Sequence, residues 1–324
     1  MRILLNNLEC EVPEGETLMA AARRNGLSIP SLCFAEGAVH KASCMVCVVK
    51  NRKNGQIIPS CTTYIEADMD IETESEEIRT IRMQSLELLL SDHRADCEAP
   101  CSLVCPKGLD VEQMLKCYDF GWYIESFTLI SETFSLPEIG CDTCKAPCEK
   151  ACRRGTVDTA VSIRAIIKEV VRMFNLIPWN NENRNRKTDR NLFQSKLGRF
   201  TASEKERLIT TTTTPSRCLH CACEGRSGCK LRLLATSAGI KRPRYAITSA
   251  LPAMNRQYVN GHIWFEQAKC IKCGLCVYNS RNGFTFKDRG FGMQVVLPEE
   301  NARHINATLA ELCPTGALYL VTSD

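Results

Sequence analysis

The chain is poor in aromatic residues and has no long apolar segment. Only 6% of its 324 residues are Phe, Trp or Tyr. No stretch approaches the roughly 18 consecutive apolar residues that a bilayer-spanning helix needs, so we expect no membrane span and a soluble protein. The first residues, MRILLNN, lack the apolar core and cleavage site of a signal peptide, which favours a cytoplasmic location.

Several motifs of catalytic folds are missing as well. The sequence contains no G-x-G-x-x-G dinucleotide fingerprint, no P-loop, no nucleophile elbow and no zinc-protease helix. The net charge is only +4, with basic and acidic residues mixed, so charge gives little reason to expect a nucleic-acid partner. We therefore expect a chain without a hydrolytic or acid–base active site.

Cysteine is what the chain has in excess, with 21 residues. In a reducing compartment, clustered cysteines bind metal or carry out redox chemistry more often than they form disulfides. The cysteine groups and the residues between them predict an α+β multidomain protein. The expected segments are 1–75, 76–175, a basic linker over 176–215, 216–250, and 251–324.

The first cysteine group follows a predicted strand, turn, strand and helix, with Thr17 as the helix cap. Cys10 in the second strand is expected to be a small buried hydrophobe. The spacing C-x10-C-x2-C-x13-C allows four thiolates to surround two bridged irons, although four thiols would also suit zinc. The candidate ligands are Cys33, Cys44, Cys47 and Cys61.

The run V-P-E-G-E-T-L through G-L-S-I-P-S-L-C before these thiols resembles a known family. It is similar to the β-grasp, ferredoxin-like [2Fe-2S] domain that begins the large peripheral subunit of complex I, of NAD-linked formate dehydrogenases and of multimeric [FeFe] hydrogenases. The resemblance implies one [2Fe-2S] cluster at the four thiols.

A helix with a predicted T-x-x-E capping box at Thr73 leads to His93-x3-Cys97, followed by two cysteine-rich stretches. These stretches, C-E-A-P-C-S-L-V-C-P and C-D-T-C-K-A-P-C-E-K-A-C, resemble the helical double-[4Fe-4S] domain of the glutamate synthase small subunit and dihydropyrimidine dehydrogenase. Cys117, in the helix between them, is expected to be a buried hydrophobe. The resemblance implies one ligand set of His93, Cys97, Cys101 and Cys152, and a second of Cys105, Cys141, Cys144 and Cys148.

The third group has the spacing C-x2-C-x-C-x5-C, which matches neither a zinc ribbon nor an ordinary ferredoxin loop. We predict that it holds a [4Fe-4S] cluster, with zinc as the alternative. His220, inside this loop, is expected to face solvent. The candidate ligands are Cys218, Cys221, Cys223 and Cys229.

The last group joins a C-x2-C-x2-C loop to a distant C-P, as in bacterial ferredoxins. Ser280 stands where a two-cluster ferredoxin would have a further cysteine, so we predict a single [4Fe-4S] cluster in a ferredoxin-like domain. Residues 284–296 are expected to form a hairpin. The candidate ligands are Cys270, Cys273, Cys276 and Cys313.

One [2Fe-2S] cluster and three to four [4Fe-4S] clusters predict a non-catalytic electron-transfer subunit of a multisubunit oxidoreductase. The resemblances imply an NAD(P)H-oxidising flavoprotein as one partner. The other would be a hydrogenase, a formate dehydrogenase or a soluble ferredoxin, in anaerobic metabolism that includes electron-bifurcating enzymes. The alternative is a metal-stabilised scaffold or an oxygen or redox sensor.

Overall fold

The computed structural model describes residues 1–174, 200–225, 228–242, 244–245 and 254–321. The chain divides into two compact units. Unit 1 comprises residues 1–93, 224–251 and 255–324, and unit 2 comprises 94–223 and 252–254. No helix among the described residues has the length and apolar character needed to cross a membrane.

Unit 1 begins with a mixed five-stranded sheet and one helix. The strands are β1 (Arg2–Leu5), β2 (Leu8–Glu11), β3 (Val48–Asn51), β4 (Gln56–Pro59) and β5 (Asp70–Glu72), in the order β2-β1-β5-β3-β4. Helix α1 (Leu18–Arg24) begins at Thr17, whose side chain accepts a hydrogen bond from the Ala20 N–H, which confirms the predicted cap. Cys10 is buried in β2, also as predicted.

Helix α2 (Glu76–Asp92) follows β5, and its cap differs from the prediction. Ser75 accepts the hydrogen bond from the Ile78 N–H, whereas the hydroxyl of Thr73 accepts one from the Asn6 side chain at 2.7 Å. Arg82 fixes α2 to the sheet because its guanidinium donates to the carbonyl oxygens of Val48 and Thr73 at 2.8 and 3.0 Å. The predicted capping box at Thr73 was therefore wrong, since that hydroxyl is bound by Asn6 in the turn between β1 and β2.

The described residues of unit 2 are mainly helical: α3 (Pro100–Leu103), α4 (Val111–Asp119), α5 (Tyr123–Thr133), α6 (Pro147–Lys150), α7 (Ile163–Phe174) and α8 (Ala202–Thr211). Its core contains Met114, Ile130 and Ile163. Cys117 is buried on α4, as expected. Helix α8 lies within the predicted linker, where Thr201 and Glu204 form a reciprocal capping box. Residues 176–199 of that linker lie outside the described residues.

The remainder of unit 1 includes α9 (Lys230–Ser237) and a three-stranded sheet of β6 (Arg256–Asn260), β7 (Ile263–Glu266) and β10 (Leu318–Leu320), in the order β10-β7-β6. Strands β8 (Thr285–Lys287) and β9 (Gln294–Val296) pair antiparallel, which confirms the predicted hairpin. Helices α10 (Leu275–Asn279) and α11 (Ala307–Glu311) complete this part.

Candidate metal centres

The structure brings the four thiols of the first group together in unit 1. All four are at most 3% exposed: Cys33, Cys44, Cys47 and Cys61. Three lie on the long connection between α1 and β3, and the fourth follows β4. Ser60 donates its backbone N–H and its hydroxyl to the Cys47 carbonyl oxygen at 3.1 and 2.7 Å, which fixes the C-x2-C pair beside the fourth thiol.

Contacts among these thiols change their acidity. Hydrogen bonds from Cys44 and then Cys61 lower the pKa of Cys33, and a bond from Cys61 lowers the pKa of Cys47 to about 7. The same contacts raise the pKa of the other two thiols, Cys44 and Cys61. The thiolate is the form that binds iron. His40, which the sequence did not single out, places one ring nitrogen 3.0 Å from the Cys61 carbonyl oxygen. This is a compact set of four thiols that suits a two-iron cluster.

The last group also converges in unit 1. Burial raises the pKa of Cys270 and Cys273, and in both cases the Cys313 thiol adds to the rise. Lys272 has a φ of +57° and donates its N–H to the Cys270 sulfur at 3.4 Å. The Thr315 hydroxyl lies 3.7 Å from the Cys313 sulfur. Backbone N–H groups directed at cysteine sulfur stabilise the thiolate and are among the factors that tune cluster potentials.

In unit 2, four thiols line one cavity of about 350 Å³: Cys105, Cys141, Cys144 and Cys148. Cys148 lies on α6, which begins after Ala146 turns the chain with a φ of +50°. Arg164 at the start of α7 donates to the Cys144 carbonyl oxygen at 3.3 Å. The cavity has the donor set that a four-iron cluster requires.

Elsewhere in unit 2, thiols from two of the predicted sets lie together. Cys101, Cys218 and Cys221 share one buried core, and Cys152 packs against it. A parallel bridge joins Asp96 and Ala222, which directly precede Cys97 and Cys223 in the chain.

The remaining candidate ligands belong to unit 1. His93 is buried at the C-terminal end of α2. Cys229 caps α9 by accepting the Arg232 N–H at 3.3 Å. It belongs to unit 1, whereas the other three cysteines of the third group belong to unit 2. His220 does not face solvent as expected. Its ring nitrogens lie 3.2 and 3.0 Å from the carboxylates of Glu112 and Asp119.

Two family models match the chain. Residues 1–76 match a 2Fe-2S iron–sulfur cluster binding domain, and residues 73–176 match dihydropyrimidine dehydrogenase domain II, 4Fe-4S cluster. The chain carries two iron–sulfur domains. In the first, the matched segment contains all four N-terminal thiols. In the second, it contains the cavity thiols together with Cys97, Cys101 and Cys152.

Curated relatives of these iron–sulfur domains are oxidoreductase subunits. The chain is 36% identical over 126 residues to the NADP-reducing hydrogenase subunit HndD of Solidesulfovibrio fructosivorans, covering 37% of this chain and 21% of the relative. It is 30% identical over 145 residues to the NADH-ubiquinone oxidoreductase 75 kDa subunit of Dictyostelium discoideum, covering 41% and 20%. The chain thus spans only about a fifth of the length of these relatives.

A solved structure of an NAD⁺-reducing [NiFe]-hydrogenase in the H₂-reduced state has a similar fold. The TM-score is 0.53 at 16% sequence identity, and the match covers 98% of this chain and 86% of the other. At this identity the likeness concerns the fold alone.

Proposed function

We propose that this chain relays single electrons between an NAD(P)H-oxidising flavoprotein and a second redox protein, as a non-catalytic subunit in the cytoplasm. The second protein would be a hydrogenase, a formate dehydrogenase or a soluble ferredoxin. The observation that carries the proposal is a direct contact, within unit 1, between the first and the last cysteine loops.

Hydrogen bonds join the two loops although they are more than 200 residues apart in sequence. The Ser43 hydroxyl donates to the Cys273 carbonyl oxygen at 3.4 Å. Asn279 at the end of α10 pairs with the backbone of Val39, accepting its N–H at 2.9 Å and donating to its carbonyl oxygen at 2.8 Å. Each loop therefore holds the other in a fixed position.

The contact also has an electrostatic component. The Lys41 ammonium lies 5.1 Å from the ring centroid of Tyr278, within the range of a cation–π interaction. Burial is the main cause that raises the pKa of Cys273, and the thiols that add to it include Cys33 of the first loop. The two thiol sets are close enough for a charge on one to be felt at the other.

This arrangement favours a conductor over isolated structural sites. Iron–sulfur clusters exchange one electron at a time, at potentials from roughly −700 to +450 mV. A flavin accepts two electrons together and releases them singly, which makes a flavoprotein the natural donor. The relatives named for NADP-reducing hydrogenase and NADH-ubiquinone oxidoreductase activity support that partner. A place in an electron-bifurcating enzyme stays a prediction.

The finer fold assignments belong to the same proposal. A helix capped at Thr17 beside the mixed five-stranded sheet supports a β-grasp domain for residues 1–75. The C-x2-C-x2-C loop and its distant C-P within the last segment support a ferredoxin-like domain over 251–324.

Anaerobic redox titration of the reconstituted full chain tests the function. Reversible bleaching of the visible absorbance by dithionite is expected, because a relay must be reduced and reoxidised without loss of iron. A scaffold holding zinc would give no signal, and a sensor would lose its clusters instead of cycling.

The partner is tested by adding NADH or NADPH to the same preparation. The lone chain should not bleach, whereas addition of the copurifying flavoprotein should cause bleaching, since hydride oxidation requires a two-electron cofactor. Bleaching of the flavin-free chain at full rate would reveal a catalytic site and refute the relay function.

A further inference from the structure

The Cys218-x2-Cys221 loop has the same local geometry as the Cys270-x2-Cys273 loop. In each, the residue directly before the second cysteine has a positive φ, +45° at His220 and +57° at Lys272. In each, the N–H of that residue donates to the sulfur of the first cysteine at 3.4 Å. Neither residue is glycine, so each local structure accepts a left-handed conformation that side chains disfavour. The shared geometry identifies the Cys218-x2-Cys221 loop as a ligand loop.

Helix α4 holds this loop in place. The His220 ring lies between Glu112 and Asp119, which are seven residues apart on one side of α4. Asp119 also accepts a hydrogen bond from the Ser216 N–H at 2.7 Å, and the Ser216 hydroxyl accepts the Cys218 N–H at 3.0 Å. The loop is thus fixed within unit 2.

Both cysteines of this loop belong to the same core as Cys101. Cys101, Cys218 and Cys221 are between 5 and 7% exposed, and Cys152 packs against this core. Cys148 also belongs to the core, but it lines the cavity of the other thiol set. Burial raises the pKa of Cys101, and the next contributions come from Cys218 and Cys152. Burial is also the main cause that raises the pKa of Cys221, and the nearby Cys101 is the second cause.

A buried ion pair fixes the segments that carry the other thiols. Arg153, next to Cys152, forms two hydrogen bonds to the Asp96 carboxylate at 2.9 and 3.0 Å. Asp96 in turn forms a parallel bridge with Ala222, which lies between Cys221 and Cys223 in the chain. Neither Cys97 nor Cys223 belongs to the core that contains Cys101. Four thiols are therefore available for one cluster without Cys97.

We propose that Cys101, Cys152, Cys218 and Cys221 together hold one [4Fe-4S] cluster. The C-x2-C pair near residue 220 is then part of the double-cluster domain and not of a separate four-cysteine site. Cys97 and Cys223 are not ligands of this cluster. The proposal changes the ligand partition predicted from the sequence, which grouped Cys101 with Cys97 and His93, and Cys218 with Cys223 and Cys229.

Non-additive loss of iron tests this partition in the anaerobically reconstituted full chain. Cys101→Ala and Cys218→Ala should each remove about four irons, and the double variant should still lose only about four because both act on one cluster. The matched control is Cys105→Ala with Cys218→Ala, which should lose about eight irons because the two thiols serve different clusters. A loss of about eight irons in the Cys101/Cys218 double variant would overturn the proposal.

Alkylation of the unmutated protein provides a second measurement that does not depend on the folding of a variant. Thiols of one cluster become reactive together when a chelator removes its iron, so mass spectrometry should show one time course of iodoacetamide labelling for Cys101, Cys152, Cys218 and Cys221. Labelling of Cys218 and Cys221 in step with Cys229, and not with Cys101, would refute the shared cluster.

Discussion

The two units build their thiol sets in different ways. In unit 1 each set takes three thiols from one segment and a fourth from later in the chain. No thiol of another set lies between the first and last members of either set, Cys33 to Cys61 and Cys270 to Cys313. In unit 2 the proposed sets are nested, because Cys105, Cys141, Cys144 and Cys148 all lie between Cys101 and Cys152. A set that is contiguous in sequence can be identified from spacing, whereas spacing alone does not divide nested sets, which require a family resemblance or the packing of helices.

The largest expected effect concerns total iron. The two sets of unit 1 and the two proposed sets of unit 2 account for about 14 irons per chain. About 18 irons would instead agree with the partition predicted from the sequence, in which Cys218, Cys221, Cys223 and Cys229 hold a cluster of their own. Colorimetric iron and acid-labile sulfide determinations on anaerobically purified protein distinguish these values. A preparation that never exceeds about four irons would show that most of these thiol sets hold no cluster, and it would refute the relay function.

The next test asks whether the two thiol sets of unit 1 hold their clusters independently of each other. Cys313→Ala should remove about four irons and one [4Fe-4S] signal from the EPR spectrum of the reduced protein, while the [2Fe-2S] signal remains. The matched variant Cys61→Ala should remove about two irons and the [2Fe-2S] signal alone. Selective loss of the [2Fe-2S] signal in Cys313→Ala would show that the sets of unit 1 are also interwoven.

Removal of the Asp96 carboxylate tests how strongly unit 2 depends on its buried ion pair. Asp96 is fully buried and Arg153 is 17% exposed, so Asp96→Ala leaves a buried guanidinium without its carboxylate. We expect a loss of about 3–5 kcal/mol of unfolding free energy, measured by urea unfolding under anaerobic conditions.

The control for this variant is Glu36→Ala in unit 1. Its partner Arg23 is 57% exposed and Glu36 is 83% exposed, so removal should cost less than about 1 kcal/mol. Equal losses for the two variants would contradict the expectation that an ion pair stabilises the fold more strongly when it is buried.

The smallest effect should follow Asn279→Ala, which removes the amide that joins the two loops of unit 1. We expect a loss of about 1 kcal/mol and weaker magnetic coupling between the two reduced sites in EPR spectra. Asn54→Ala is the control, since Asn54 makes amide hydrogen bonds within its own turn, to Gln56. Unchanged coupling in Asn279→Ala would show that this contact does not set the relation between the loops.

Local features of the fold were predictable because neighbouring residues determine them. Thr17 caps α1 with its own hydroxyl, and the hairpin near residue 290 pairs segments that are close in sequence. The cap of α2 was missed because Asn6, far away in sequence, binds the Thr73 hydroxyl and leaves Ser75 to begin the helix.

Features that depend on distant partners could not be predicted. His220 looked like an exposed loop residue, yet its position is set by two carboxylates of α4 about a hundred residues earlier in the chain. Helix α8 has weak apolar periodicity, and its buried residues are Glu204 and Leu208. The packing of Cys101 with Cys218 had no signal in either spacing, because the two cysteines lie in separate motifs more than a hundred residues apart.

The joint burial of Cys101 with Cys218 has a consequence for how the protein is made. At about 5–20 residues per second of translation, Cys101 emerges from the ribosome many seconds before Cys218 does. During that interval Cys218 and Cys221, two of the four thiols proposed for its cluster, are not yet present, and the Cys101 thiol is open to oxidation. With the proposed ligands, this cluster can be completed only after most of the chain has been synthesised, so high yields should require expression without air.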